Sequence, residues 1–430
     1  MLSYEDNQLL TQTGPNTPMG NLFRRYWIPA LVSEDLPASD CPPVRVKLLG
    51  ENLVAFRDSN NQVAFFDEHC PHRRASMFFG RNEECGLRCV YHGWKFDASG
   101  QCVDMPSEPP ENNFKDKLTI KSYPAKEAGG VIWAYMGPAE LMPELPPFGF
   151  LYVDQANRKF RRSINECNYY QGIESSLDSS HISFLHRRKS NRFSGFSTTN
   201  MNSEHDMLRK KYRNPKFEVV KTDYGMIVGA KRETDDPNKK FWRITQFVMP
   251  WYQLIPPSSL DPNEKDGPCS MTCWVPMDDE TSMSWAFYWD PIHAIDGPNN
   301  RTLYRAPELV PGTLMTKANK SNDYLIDREI QASGETFTGM PHGVTEDQAM
   351  TESQLPIADR SREKLGTSDT AIIVGRTVML KAARGLEKGE NPPGLDPESI
   401  KVRAVSVILD EGVSFQEEAK EYLKAEIPVV

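Results

Sequence analysis

The chain has 430 residues, with 50 Lys+Arg against 59 Asp+Glu and a formal charge of −9. At about 150 residues per domain this length gives two or three domains with a sizeable core, and an acidic total without a basic run argues against binding a phosphate backbone. No stretch approaches the roughly 18–20 apolar residues of a spanning helix, and the polar, acidic start MLSYEDNQLL does not read as a signal peptide; the expectation is a cytoplasmic protein with no membrane or nucleic-acid partner.

Residues 25–137 read as short strands broken by turns: VRVKLLG, LVAFRD, QVAFFD, LRCVYHGWKFD and GGVIWAYMG, with Asp58-Ser59-Asn60-Asn61 and Ala98-Ser99-Gly100 as turn chemistry. This is an all-β module. The proline-rich MPELPPFGF at 142–150 reads as a linker, which divides the chain into 1–150 and 151–430. Beyond it, FEVVKTDYGMIVGAKRET and CSMTCWVPMDDETSMSWAFYWD each read as two strands joined by a turn. Helices are predicted over 165–186, 345–355 and 369–384, the second opened by a Thr345/Gln348 capping box and the third closed by Gly385. The second half is therefore α+β. Met201, Met207, Met226 and Met249 read as core and are given no role.

The eight cysteines need no disulfide framework in a chain of this size, and Cys85 and Cys102 read as small apolar residues. Cys70 and Cys89 stand apart. CPH at 70–72 is followed after sixteen residues by CVYH at 89–92. A zinc finger groups its two thiolates before its two imidazoles, whereas here each turn offers one of each. A two-iron, two-sulfide cluster with two Cys on one iron and two His on the other needs this pairing; a Cys2His2 zinc site is the competing reading. Two neutral imidazoles in place of two thiolates raise the reduction potential.

The segment CPHRRASMFFGRNEECGLRCVYHGWKFDASG resembles the Rieske domain of the Rieske non-haem iron aromatic-ring hydroxylating oxygenases. The resemblance implies that Cys70, His72, Cys89 and His92 hold a [2Fe-2S] cluster. Most of that family reads CxHRG, and here Arg74 replaces the glycine, a form that resembles the phthalate-dioxygenase branch. It also implies an α+β fold: an all-β Rieske domain at 1–150, with its N-terminal extension, and at 151–430 a helix-grip-like catalytic domain whose antiparallel sheet is covered by helices.

From Asn168 to His186 the chain runs NYYQGIESSLDSSHISFLH. On a helix Asn168, Gln171, Glu174, Asp178 and His181 share one polar face, for which a solvated surface is the plain alternative. His186 follows His181 by five residues, about 140° round an ideal helix, so one ion can bind both only if the helix widens or ends between them. The family resemblance implies that His181 and His186 ligate a mononuclear iron. Two His and one carboxylate leave open positions on Fe(II) for dioxygen. The carboxylate candidates are Asp323, Asp327, Asp347 and Asp359; the family pattern EDxxxxES matches Glu346–Ser353 and implies Asp347, with Asp359 in reserve. Asp178, three residues before His181, can accept a hydrogen bond from a ligand imidazole, and in the family the corresponding aspartate bridges to a cluster histidine, here His92, of a neighbouring subunit.

In FWRITQFVMP, Arg243 shares a strand face with Thr245 and Phe247. It is either a structural arginine or a guanidinium aimed at a substrate carboxylate. Arg209 is the second such candidate. The resemblance implies the terminal oxygenase of a multicomponent dioxygenase for aromatic-hydrocarbon catabolism, forming a cis-dihydrodiol from a phthalate- or chlorobenzoate-like acid and O2. It implies a separate flavin/iron–sulfur reductase, because the chain has neither a GxGxxG after a strand nor a four-cysteine ferredoxin run, and a homotrimer or a hexamer of trimers stacked in pairs. The rivals are a Rieske monooxygenase performing O-demethylation or ether cleavage of an aromatic acid and, of another class, a Rieske electron carrier.

Overall fold

A computed structural model describes residues 1–109, 111, 114–189, 203–296 and 306–426; Met201 lies outside them. The chain forms two compact units, Thr13–Pro143 and Met1–Gln12 together with Glu144–Val430.

The Thr13–Pro143 unit is built of short antiparallel strands, as the period-two alternation and turn residues require. Val44–Leu48, Glu51–Arg57, Val63–Asp67 and Ser122–Tyr123 form one sheet; Arg81–Glu83, Gly86–Arg88, Lys95–Phe96 and Cys102–Asp104 form another. Val54, Phe56, Ala64 and Phe66 from the first sheet bury against Leu87, Phe96 and Met77, and Cys70 and Cys89 lie in the same core. All eight cysteines are free thiols, including Cys85 and Cys102.

In the second unit an antiparallel sheet runs in the order Arg158–Asn165, Ser282–Trp289, Cys269–Pro276, Tyr252–Ile255, Lys239–Val248, Gly225–Glu233, Lys216–Lys221. Val405–Asp410 pairs with the first half of Lys239–Val248, and Tyr252–Ile255 with its end. Trp242 and Ile244 face a core with Val405, Val407 and Phe415. Because side chains alternate across a strand, Arg243 and Thr245 point to the opposite face, where a cavity lies.

The helix predicted over 165–186 is shorter: it spans Tyr169–Leu177, with Asn168 as N-cap and Asp178 as C-cap. Gly172 lets it sit close on the sheet, since a Cβ there would lie 2.1 Å from the Trp274 ring. The predicted polar stripe is not solvated. Asn168, Gln171 and Glu174 are buried; Gln171 Nε2 donates to the carbonyls of Thr351 and Leu355, and Glu174 receives Arg360 and Arg376. Residues 1–12 belong with this unit and not with the first, where the sequence division placed them. Tyr169 Oη donates to Leu10 O, Asn168 Nδ2 to Thr11 O, and Arg360 Nη1 to Asn7 Oδ1.

Two helix ends also differ from expectation. Gly343–Glu352 starts before Thr345, because His342 Nδ1 accepts from Val344 N as the N-cap, while Thr345 and Gln348 are buried. Thr370–Glu387 runs through Gly385, and the left-handed residue beyond it is Gly389. Met226 and Met249 are buried, but Met207 is exposed. No helix among the described residues is long and apolar enough to cross a membrane.

Candidate metal centres and cavity

Two loops in the Thr13–Pro143 unit have the same hydrogen-bond frame. Cys70 N donates to Ala75 O and Arg74 N to Cys70 O; Cys89 N donates to Trp94 O and Gly93 N to Cys89 O. In each, the fifth residue has left-handed backbone, Arg74 at φ 61° and Gly93 at φ 80°. That explains a glycine at the Arg74 position in the family pattern. Arg74 can replace it because its side chain leaves the loop, Nη1 donating to His69 O. At Gly93 a Cβ would meet Pro106 Cγ at 2.6 Å.

The frame sorts the four donors by type. Cys70 and Cys89 are both buried, and their mutual interaction pulls the Cys89 thiol below its usual range and pushes the Cys70 thiol above it. The His72 and His92 rings lie 4.4 Å apart, and His72 stacks on Trp94 at 4.1 Å. A sulfur pair beside a nitrogen pair fits a cluster with one iron ligated by thiolates and the other by imidazoles.

In the second unit the helix ends at Leu177, ahead of both histidines. The change of path therefore precedes His181, where a break between the two histidines was expected; a single turn of 3-10 helix at His181–Ser183 then carries the chain round to His186. The His181 and His186 ring centroids are 5.2 Å apart. Asp347, on the first turns of Gly343–Glu352, places Oδ1 3.2 Å from His186 Nε2 and 3.7 Å from His181 Nε2. Among the described residues, His181, His186 and Asp347 are the set whose ligand atoms all lie within 4.8 Å of one another. Asp347 Oδ1 is buried without a hydrogen bond among the described residues. Burial disfavours a charged His186, but Asp347 and Glu346 outweigh it and push the imidazole up to about 9. This is a carboxylate-rich, donor-poor site that a divalent cation suits.

Asp178 Oδ2 lies 3.4 Å from His181 Nδ1, and its carboxylate accepts from Ser180 N and His181 N. Burial raises its pKa, but the His181 imidazole first and those backbone bonds after it hold the carboxyl below its usual range. The other carboxylate candidates lie apart from the triad. Asp359 is exposed and caps a turn through Ser361, Asp327 caps Arg328–Ser333, and Asp323 is exposed.

His181, His186, Asp347 and Asp178 line one cavity of about 970 Å³, together with Arg243 and Arg209. Arg243 is buried, donates from Nη1 to Ser179 Oγ at 3.2 Å, and leaves Nε without a partner. No carboxylate among the described residues pairs with it. Arg209 differs, donating to Asp206 Oδ1 at 2.6 Å. Two buried groups at this end of the site, Arg232 beside the cavity and His205 lining it, escape the sequence reading. Arg232 shares the Arg243 face, since Ala230 is the cross-strand partner of Arg243, and Arg232 Nη2 donates to Ser179 O. His205, four residues before Arg209 on Glu204–Lys211, is buried with neither ring nitrogen bonded. Burial and then the guanidiniums of Arg243, Arg209 and Arg232 hold His205 well below its usual pKa. The i, i+4 spacing of His205 and Arg209 was the available signal. This end of the cavity is a buried cationic pocket short of anions.

Comparison with known proteins follows the same division. Residues 26–124 match the Rieske [2Fe-2S] domain family, and residues 134–426 match the family described as LigXa C-terminal domain like. The chain is 38% identical over 412 residues to the 3-chlorobenzoate-3,4-dioxygenase oxygenase subunit of Comamonas testosteroni, covering 91% of each chain. It is 35% identical to the phthalate 4,5-dioxygenase oxygenase subunit of Pseudomonas putida, covering 94% of this chain and 92% of the relative. It is 34% identical to the 5,5'-dehydrodivanillate O-demethylase oxygenase subunit of Sphingobium sp., covering 92% and 84%. The fold is that of dicamba monooxygenase bound to dicamba, with a TM-score of 0.58 at 20% identity over 85% of this chain and 99% of that one. An N-terminal cluster domain joined to this C-terminal domain over nearly the whole chain means that the protein is an enzyme of the Rieske non-haem iron oxygenase family, whose cofactors are a [2Fe-2S] cluster and a mononuclear iron.

Proposed function

We propose that this chain is the terminal oxygenase of a multicomponent dioxygenase that cis-dihydroxylates a phthalate- or chlorobenzoate-like aromatic carboxylate, with O2 and with electrons from a separate NAD(P)H-dependent flavin/iron–sulfur reductase. The observation that carries it is a buried guanidinium without a carboxylate partner among the described residues, Arg243, lining the same cavity as His181, His186 and Asp347. The names of the relatives support the substrate class, and their description as oxygenase subunits supports a separate electron donor.

Cys70, His72, Cys89 and His92 would hold the cluster in the Thr13–Pro143 unit, and His181, His186 and Asp347 would hold the iron in the unit of Met1–Gln12 and Glu144–Val430. When bound, the cluster supplies single electrons and the iron supplies dioxygen activation. Arg243 binds the substrate carboxylate, with Ser179 orienting the guanidinium and Arg209 adding positive charge. Holding the acid at that end of the cavity turns the ring toward the triad. Asp178 takes the hydrogen bond from His181 Nδ1–H and so presents Nε2 to the ion. In a homotrimer, or a hexamer of stacked trimers, the same aspartate would reach His92 of a neighbouring copy.

A second reading, O-demethylation or ether cleavage by the same ligands, is favoured by the demethylase relative. A turnover screen of substituted benzoic acids with reductase, NADH and labelled dioxygen decides: two labelled atoms in a ring diol support dioxygenation, and a single labelled atom with loss of an alkyl group rejects it.

A further inference from the structure

We propose that Glu346 is a positioning residue for the mononuclear metal: its carboxylate holds the His186 imidazole so that Nε2 faces the ion, and Arg188 and Thr338 hold that carboxylate. The inference rests on reading His181, His186 and Asp347 as the iron ligands, and it adds a residue outside that set.

Glu346 is fully buried, with Oε2 2.7 Å from His186 Nδ1. Arg188 Nη2 donates to the same oxygen at 2.9 Å, and Thr338 Oγ1 donates to Oε1 at 2.5 Å. Both carboxylate oxygens are thus engaged by three groups from two segments, His186 and Arg188 on one and Thr338 on the other, so the group has one orientation. An acceptor at Nδ1 requires the proton to sit there, which leaves the Nε2 lone pair free to ligate. His186 is gripped from both ends by consecutive residues of one helix. Glu346 meets Nδ1 while Asp347 Oδ1 stands 3.2 Å from Nε2, because neighbouring helical side chains diverge by about 100°. The carboxylate also makes the imidazole a more basic ligand, and its own charge is matched by Arg188, so binding a cation leaves no stranded anion. A residue that only filled space here would need no charge and no three-sided set of donors.

The test uses full-length protein with its cluster retained and its mononuclear iron removed, titrated with Co(II) in competition with a chelator. Glu346→Gln keeps volume and one acceptor but loses the charge. It should bind Co(II) about 10- to 100-fold more weakly than the parent, with the reduced cluster's EPR signal unchanged. Since the single variant removes the carboxylate that Arg188 faces and can unfold, Glu346→Gln/Arg188→Met is the second arm; it should melt like the parent and still bind weakly. Parental Co(II) affinity in either variant overturns the proposal. A parent protein with no Co(II) site that His181→Ala abolishes overturns the ligand reading itself, a result distinct from parental affinity in the variants.

Discussion

Arg243→Met separates a substrate-binding arginine from a structural one, because the two roles move binding and stability in opposite directions. Removing one partner of a buried, hydrogen-bonded charge pair costs about 2–5 kcal/mol. Arg209 and Arg232 stay beside the vacated position, so the lower part of that range applies, about 2–3 kcal/mol. At 1.4 kcal/mol per tenfold this is about 30- to 140-fold in Kd for a benzoate-type anion. The corresponding benzamide forms a neutral hydrogen bond of about 0.5–1.5 kcal/mol and should lose only about 2- to 12-fold. Stability should behave differently. Arg243 has one hydrogen bond, to Ser179 Oγ, and its cation is disfavoured by burial and then by two neighbouring guanidiniums. Methionine fills similar space without that penalty, so the ligand-free protein should melt at the same temperature or higher. Calorimetric titration with the acid and its amide, beside thermal melts without ligand, makes both comparisons. Equal losses for acid and amide, together with a lower melting temperature, would refute the reasoning.

His181→Ala should abolish the mononuclear iron and leave the reduced cluster's EPR signal intact; joint loss of both would contradict two independent centres in one chain. Gly93→Ala puts a Cβ on left-handed backbone against Pro106, so cluster content should fall, with at least about 1–2 kcal/mol of backbone strain added. Arg74→Gly, at the equivalent position of the open loop, should keep full cluster content and change stability by no more than about 1 kcal/mol; iron and sulfide assays check both. Glu174→Ala removes the carboxylate of the buried Arg360 and leaves Arg376 to Glu363, which should cost about 3–5 kcal/mol, and more than Glu363→Ala, whose side chain is 26% exposed. Burial raises the Glu174 carboxyl pKa but the two arginines overcome it, so the folded value lies below the unfolded one. Its contribution is therefore complete above the ordinary carboxylate range and lost as pH falls through the depressed value; acid titrations in which the parent and Glu174→Gln lose stability in parallel would reject that account.

Sequence alone carried the cluster loops, because short-range chemistry specifies them. Cys70 and His72, and Cys89 and His92, sit within four residues of each other, on turns whose backbone frame is local. The same holds for the strand pairs joined at Asp223–Gly225 and Met277–Glu280, where neighbours along the chain become neighbours in the sheet. What distance in sequence concealed was who stands opposite whom. The stripe at Asn168, Gln171 and Glu174 looks like a wet helix face until Thr351, Leu355, Arg360 and Arg376 arrive from nearly two hundred residues away to bury it. His181 and His186 have the wrong angular spacing for one ion on a continuous helix; Asp178 ends that helix, and Asp347 and Glu346 come from a distant one to close on the imidazoles. Cross-strand register brings Arg232 beside Arg243, and helix docking brings His205 into the cavity. Ligand types and turn geometry are properties of a few adjacent residues and so are written in order along the chain. Burial, charge balance and the meeting of ligands from separate segments depend on tertiary packing, and only the folded chain decides them.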